Sequence, residues 1–349
     1  MRRMSRTLAA ILGRTALLLL IIPAVVVLAQ SESTPPPFPP PGKLIDVGGW
    51  RLHLNCTGEL RAGQPTVILE PGIGAFSVEW SLVQPGVSKF ARVCSYDRAG
   101  DGWSELGPHP RTFRQIVYEL HTLLDKAGVK PPFVLVGQSY GGWLVRLYAY
   151  TYPAEVAGMV LVDVGIDNPW RLINGKLKRS SELIKGEPIP EVKTSGPLRI
   201  SDIPPAALSQ MRAAAQGLAK YPNEPPRDRL PPEAQRMRAW ALAQLGHIAA
   251  GVNPFEHEEL ASLRAEQAKS KYPLGDKPLI VLTRGLSEEE GPDSKTLEAE
   301  HRRDHAAMAE LSRKGKLIIA AKSGHHIQID EPELVIKSIR EVVTALRKR

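Results

Sequence analysis

Cysteine is scarce in this chain: Cys56 and Cys94 are the only two among 349 residues. Neither stands in a metal-type spacing, which excludes a cysteine-built metal site. Aromatic residues make up only 6% and form no stripe interleaved with basic ones, so no nucleic-acid partner is expected. Internal repeats are missing. Acidic residues are missing from the first 29 positions, where Arg2, Arg3, Arg6 and Arg14 lie; without those four the formal charge of +8 falls to +4. The basicity of the folded part is therefore modest. Long hydrophobic runs are missing too. Thr15–Ala29 is apolar for 15 residues, short of the about 20 that a membrane-spanning helix needs.

That run, with arginines before it and Val27-Leu28-Ala29 at its end, reads as a secretory signal over residues 1–29. An uncleaved N-terminal anchor is the alternative and the one route to a membrane. Residues 30–42 form a proline-rich linker, with Pro35-Pro36-Pro37 and Pro39-Pro40-Pro41 around Phe38, a stiff polyproline spacer. The expected location is outside the cytoplasm: secreted, periplasmic or membrane-anchored. In an exported protein an even cysteine count suggests one disulfide. Both cysteines sit in expected strands, and a bridge requires those strands side by side. Two buried thiols are the alternative.

With 43% hydrophobic residues the chain can bury a full core. Lys43–Val47 and Trp50–Asn55 flank Gly48-Gly49, a hairpin signal. A strand over Thr66–Glu70, a helix over Val78–Phe90 and a strand around Cys94 follow. Phe113, Ile116, Val117, Leu120 and Leu124 recur at helical spacing and predict a helix over Arg111–Ala127. Val156–Asp163 is another buried strand. From about Gly165 to Asp276 the alternation stops, and the best helices there are Pro205–Leu218 and Glu233–Ala250. Such a length of structureless loop is improbable, so residues 165–276 are expected to form a cap. Strand Pro278–Thr283, helix Ser294–Lys314, strand Lys316–Ala321 and a final amphipathic helix complete the core. The pattern predicts an α/β fold with a mostly parallel sheet covered on both faces, built from residues 43–164 and 277–349.

Gly137-Gln138-Ser139-Tyr140-Gly141 follows the apolar run Pro132–Val136 and precedes the helical stretch Gly142–Tyr150. G-x-S-x-G between a strand and a helix is a nucleophile elbow, which lifts a serine hydroxyl off the sheet edge. Serine needs an adjacent base. Ser323-Gly324-His325-His326 falls between the last strand and the last helix, where a loop can carry an imidazole over the elbow. His325 is the expected base, and His326 is its rival. The other seven histidines are scattered, with His247 and His257 in the cap. A carboxylate should orient the imidazole. Asp163 ends an apolar strand 24 residues past Ser139 and is best placed. Glu288, Glu289, Glu290, Asp293 and Asp304 remain alternatives. Acyl transfer also needs oxyanion donors. The backbone N–H of Tyr140 and that of Ile73, in Pro71-Gly72-Ile73-Gly74, are expected to supply them, with Gly74 a neighbouring option. No metal or organic cofactor is implied.

Together these motifs resemble the α/β-hydrolase superfamily, in its serine branch with an inserted cap. Glu70-Pro71-Gly72-Ile73-Gly74 is similar to its oxyanion loop, with Glu70 where histidine is frequent. Asp97-Arg98-Ala99-Gly100-Asp101-Gly102-Trp103-Ser104 is similar to its D-R-x-G-x-G-x-S turn. The resemblance implies eight strands, an antiparallel second strand beside the fourth, and a helical cap after strand six. It thereby makes a Cys56–Cys94 pairing reasonable. It also implies a serine hydrolase acting on a small-molecule ester or related acyl substrate through an acyl-enzyme. An amidase or aminopeptidase, and a non-catalytic binding protein on the same scaffold, are the alternatives. Serine at the elbow argues against the haloalkane dehalogenases and epoxide hydrolases of the superfamily, which use aspartate there.

Overall fold

The computed structural model describes residues 38–173, 176–183, 196–220, 222–251, 253–288, 291 and 293–347. The expected signal and most of the proline-rich linker lie outside the described residues, as do Glu289 and Glu290. Residues 40–349 form one compact unit.

Ten strands are present among the described residues: β1 Lys43–Asp46, β2 Arg51–Thr57, β3 Thr66–Glu70, β4 Val93–Tyr96, β5 Phe133–Gln138, β6 Val156–Val162, β7 Trp170–Ile173, β8 Lys176–Arg179, β9 Leu279–Arg284 and β10 Gly315–Ala320. Eight of them make one sheet in the order β1-β2-β4-β3-β5-β6-β9-β10. Only β2 runs antiparallel to its neighbours; β3, β4, β5, β6, β9 and β10 are mutually parallel. This is the α/β-hydrolase arrangement that the motifs led us to expect.

The central strands read as near-continuous apolar runs because helices cover both faces. Side chains alternate between the two layers. Ile68, Leu135 and Leu161 face one layer, where they meet Phe113, Leu120, Leu144 and Tyr148 from helices Phe113–Lys126 and Gly141–Thr151. Val67, Leu69, Val134, Val136, Val160 and Val162 face the other, against Val335, Ile339 and Val343 of helix Pro332–Arg347. Thr112 caps helix Phe113–Lys126 by accepting the Gln115 N–H at 3.1 Å. At the hairpin, the Asp46 carboxylate accepts the N–H groups of Gly48 and Gly49 at 2.7 and 2.8 Å. Cys56 lies directly opposite Cys94 in the β2–β4 ladder, and a disulfide joins them.

Three local expectations are corrected. The stretch Val78–Phe90 is not one helix. A single turn at Ser77–Trp80 is followed by the short helix Gln84–Ser88, because Pro85 cannot continue a helix. Glu233–Ala250 is likewise two helices, Pro232–Leu242 and Leu245–Ala250, broken where Gln244 becomes extended. The second piece thereby brings Gly246 against the backbone of Gly100. The segment between β6 and β9 is also not purely helical, since β7 and β8 pair as an antiparallel ribbon. It further holds a helix at Glu256–Ala268 that periodicity did not single out. No helix among the described residues is long and apolar enough to cross a membrane.

Candidate active site

The carboxyl ends of β3, β5 and β6 and the loop after β10 carry the groups singled out in the sequence. Ser139 follows β5 with φ of 51°, and Asp163 follows β6 with φ of 39°. These are the only non-glycine residues with positive φ among the described residues. Left-handed backbone is costly for a side chain with Cβ, so the fold concentrates its strain at these two positions. The glycines around the serine are required by contact. A Cβ on Gly141 would stand 2.6 Å from the carbonyl oxygens of Glu70 and Pro71, and one on Gly142 would stand 2.1 Å from Val164 Cγ1. The elbow is thus pressed against the β3 loop on one side and the β6 end on the other.

His325 Nδ1 lies 2.7 Å from Asp163 Oδ2. Asp163 is fully buried, while a quarter of the His325 side chain reaches solvent. A carboxylate at Nδ1 fixes the ring with Nδ1–H donating and Nε2 free to accept. Nε2 lies 3.3 Å from the Gln138 side-chain amide, one residue before Ser139. The same amide also donates to the His325 carbonyl at 3.3 Å. Ser139 itself makes no side-chain hydrogen bond with His325 among the described residues. The structure therefore joins the expected base to its expected carboxylate, and places the imidazole beside the elbow on Gln138.

Burial alone would raise the Asp163 carboxyl. Hydrogen bonds from His301 and His325, and the charge of nearby histidines, outweigh it and hold the group well below the ordinary carboxylate range. Its other oxygen, Oδ1, accepts the Arg284 backbone N–H at 2.9 Å and faces His301 Nε2 at 3.2 Å. Two of the rival acids, Asp304 and Glu288, are engaged elsewhere. Asp304 forms a two-pronged ion pair with Arg179 at 2.7 and 2.8 Å. Glu288 accepts the backbone N–H of His325 and not its ring. Asp293 stands at the start of helix Ser294–Ala309. His326 makes no hydrogen bond to Asp163 among the described residues, and its buried Nδ1 has no partner there. Burial and the nearby Arg227 push its imidazole down to about 3, which keeps it neutral.

The expected oxyanion donors sit on the two segments that meet at the serine. A Cβ on Gly72 would lie 3.4 Å from Ser139 Cβ, which puts the β3 loop directly over the elbow. Neither the Ile73 nor the Tyr140 N–H is taken by another protein group among the described residues. A feature the sequence did not disclose holds this loop in place. Arg98, buried, donates to the Pro71 carbonyl at 2.8 Å, to the Ala75 carbonyl at 3.1 Å and to the Gly72 carbonyl. It also pairs with Glu70 at 2.7 Å. Glu70 in turn accepts the Tyr96 hydroxyl. The glutamate at the position where the family often has histidine is thus the anchor of an arginine clamp under the loop. The signal for it was two opposite charges at the ends of adjacent strands.

A cavity of about 250 Å³ opens beside the loop, lined by Ile73, Gly74, Arg98, Tyr140, His247 and Asn253 among others. His247 reaches it from the inserted segment, with Nδ1 2.7 Å from Asp101 Oδ1. The lining therefore mixes apolar surface with polar side chains that are already paired. The histidines are also less scattered than their spacing suggested. His301 and His305 gather on Asp163, and among the described residues these three are the set whose donor atoms lie close enough to share a metal ion.

A profile of the Alpha/beta hydrolase family matches residues 67–338. The chain belongs to the alpha/beta hydrolase family. Over 309 residues it is 25% identical to an AB hydrolase superfamily protein of Gibberella zeae, covering 81% of this chain and 88% of that one. A 129-residue stretch is 35% identical to the probable transporter efuK of Hormonema carpetanum. That match spans 36% of this chain and only 18% of the relative's length. Among solved structures, a thermophilic esterase from Thermogutta terrifontis is similar in fold, with a TM-score of 0.55 and 20% identity. The alignment covers 85% of this chain and 94% of the esterase.

Proposed function

We propose that this alpha/beta hydrolase is a serine hydrolase cleaving carboxylic esters through an acyl-enzyme. The observation that carries the reading is His325 Nδ1 seated on the buried Asp163 carboxylate, beside an elbow serine with left-handed backbone. Ser139 attacks the substrate carbonyl while His325 Nε2, released from Gln138, takes the hydroxyl proton. Asp163 stabilises the imidazolium that results. The N–H groups of Ile73 and Tyr140, both unengaged, receive the developing oxyanion. His325 then protonates the leaving alcohol, and a water activated by the same ring releases the acid. The Arg98 clamp holds the Ile73 donor at a fixed height over the serine. The cavity of about 250 Å³ is lined by Ile73 and Tyr140 but not by Ser139 or His325, so it adjoins the two donors rather than enclosing the reacting pair.

A panel of p-nitrophenyl esters of increasing acyl length, set against aminoacyl p-nitroanilides, tests the reading. Ester turnover that is lost in Ser139→Ala is expected. Turnover confined to the anilides would replace it with an amidase, and a folded protein without turnover of either would favour a binding role. We further propose that the protein works outside the cytoplasm, where a Cys56–Cys94 disulfide persists. The intact mass of the exported protein checks this: cleavage after Ala29 is expected, and retention in the cytoplasm contradicts it.

A further inference from the structure

Helix Ser294–Ala309 presents His301 and His305 one turn apart, on the face that packs against the ends of β6 and β9. Their ring centroids are 4.2 Å apart. Asp163 Oδ1 lies 3.2 Å from His301 Nε2 and 3.8 Å from His305 Nδ1. All three donor atoms lie within 4.8 Å of one another. In a tetrahedral zinc site with bonds of about 2.0–2.2 Å, the ligand atoms stand roughly 3.3 Å apart. The two distances from Asp163 Oδ1 lie within about 0.5 Å of that spacing, and the two imidazole nitrogens would close on each other from a separation of up to 4.8 Å.

The surroundings are those of a metal ligand set. His305 donates Nε2–H to the Val164 carbonyl at 2.9 Å, which fixes its tautomer and leaves the Nδ1 lone pair facing the cluster. A backbone carbonyl behind a ligating imidazole is the usual supporting contact at metal sites. The present partner of Nδ1 is the Thr283 hydroxyl at 2.8 Å, a rotor that can turn away. The guanidinium of Arg284 stands 3.4 Å from Asp163 Oδ2 and opposes a cation, but it is itself paired with the buried Glu298 at 2.9 Å. With Asp163, Glu298 and Arg284 counted together, the local charge is negative. His301 reaches solvent, which provides an entry path and a place for a water as fourth ligand.

We propose that Asp163, His301 and His305 form a zinc site whose occupation switches the hydrolase off. Two imidazoles and one carboxylate favour zinc over calcium or magnesium. The metal would take Oδ1 of the same carboxylate that supports His325 through Oδ2. A dication there cancels the charge that stabilises the imidazolium, so the base loses its partner. The binding half stands independently of the proposed activity; the inhibition half rests on it.

The test uses the full chain with zinc chloride in titration calorimetry, and cobalt(II) as a visible-absorption probe. Wild type and Ser139→Ala are both expected to bind one zinc per chain and to show tetrahedral cobalt bands. His301→Ala is expected to lose affinity at least ten-fold, and His305→Gln to do the same; circular dichroism reports whether each is folded. Ester turnover of wild type, taken relative to its zinc-free rate, should fall with zinc and return with chelator. His301→Ala should need at least ten-fold more zinc for the same relative loss. Absence of stoichiometric binding by wild type, or equal binding by folded His301→Ala, overturns the site. Binding as expected in a protein without hydrolase turnover would leave the site standing and refute the proposed function instead.

Discussion

Asp163 and His325 are 162 residues apart in the chain and 2.7 Å apart at their polar atoms. A strand end and a terminal loop must be brought together to make this bond, and the fold buries its acid side completely. Asp163→Asn preserves the shape but offers an amide in place of the charge and favours the wrong tautomer. It is expected to lower kcat for ester hydrolysis by about 10³–10⁴-fold. Asp304→Asn and Glu288→Gln, measured in the same assay, should stay within a few-fold of wild type.

The arginine clamp makes a stability prediction as well as a catalytic one. Arg98 is buried with Glu70 and three loop carbonyls. Arg98→Met leaves the Glu70 carboxylate buried without its cation, a change that costs about 3–5 kcal/mol. Denaturant unfolding should register this loss. The double variant Glu70→Gln/Arg98→Met should recover part of it but not the ester turnover, because the carbonyls of the oxyanion loop remain unheld.

His326 supplies a pH signature separate from catalysis. Its folded value of about 3 lies below the ordinary 6.5, so between those pH values the unfolded chain binds the proton more readily. Its contribution to stability is complete above about pH 6.5 and declines as pH falls toward about 3. The decline approaches about 1.4 kcal/mol per pH unit for this one group. His326→Gln should flatten that slope in denaturation curves taken across the window, while retaining ester turnover at neutral pH.

Much of this site was legible in the residues alone. The elbow stood out because Gly137 and Gly141 bracket Ser139 between an apolar strand and a helix. Asp163 stood out because it ends a continuous apolar strand, where the backbone is rigid and a carboxylate is drawn into partial burial. His325 and His326 could not be separated, since adjacent residues in a loop point in different directions and only tertiary contact decides which meets the acid. The Glu70–Arg98 clamp was hidden because its partners belong to different strands. The spacing of His301 and His305 was visible, but Asp163 is 138 residues away from His301 and gave it no context. In the inserted segment, helix Glu256–Ala268 buries only Glu259, Leu260 and Leu263, so its periodicity was faint. The break at Gln244 has no glycine or proline at that residue to mark it, although it accompanies the close approach of Gly246 to Gly100.

The proposed chemistry stands or falls with Ser139 as a nucleophile activated by His325. Labelling with a fluorophosphonate, followed by intact-mass and peptide mass spectrometry, puts this to trial without any choice of substrate. One adduct per chain is expected, on Ser139, absent from Ser139→Ala and formed at least about 10³-fold more slowly in His325→Ala. An adduct on another residue, or labelling of Ser139 at an undiminished rate without His325, would refute it.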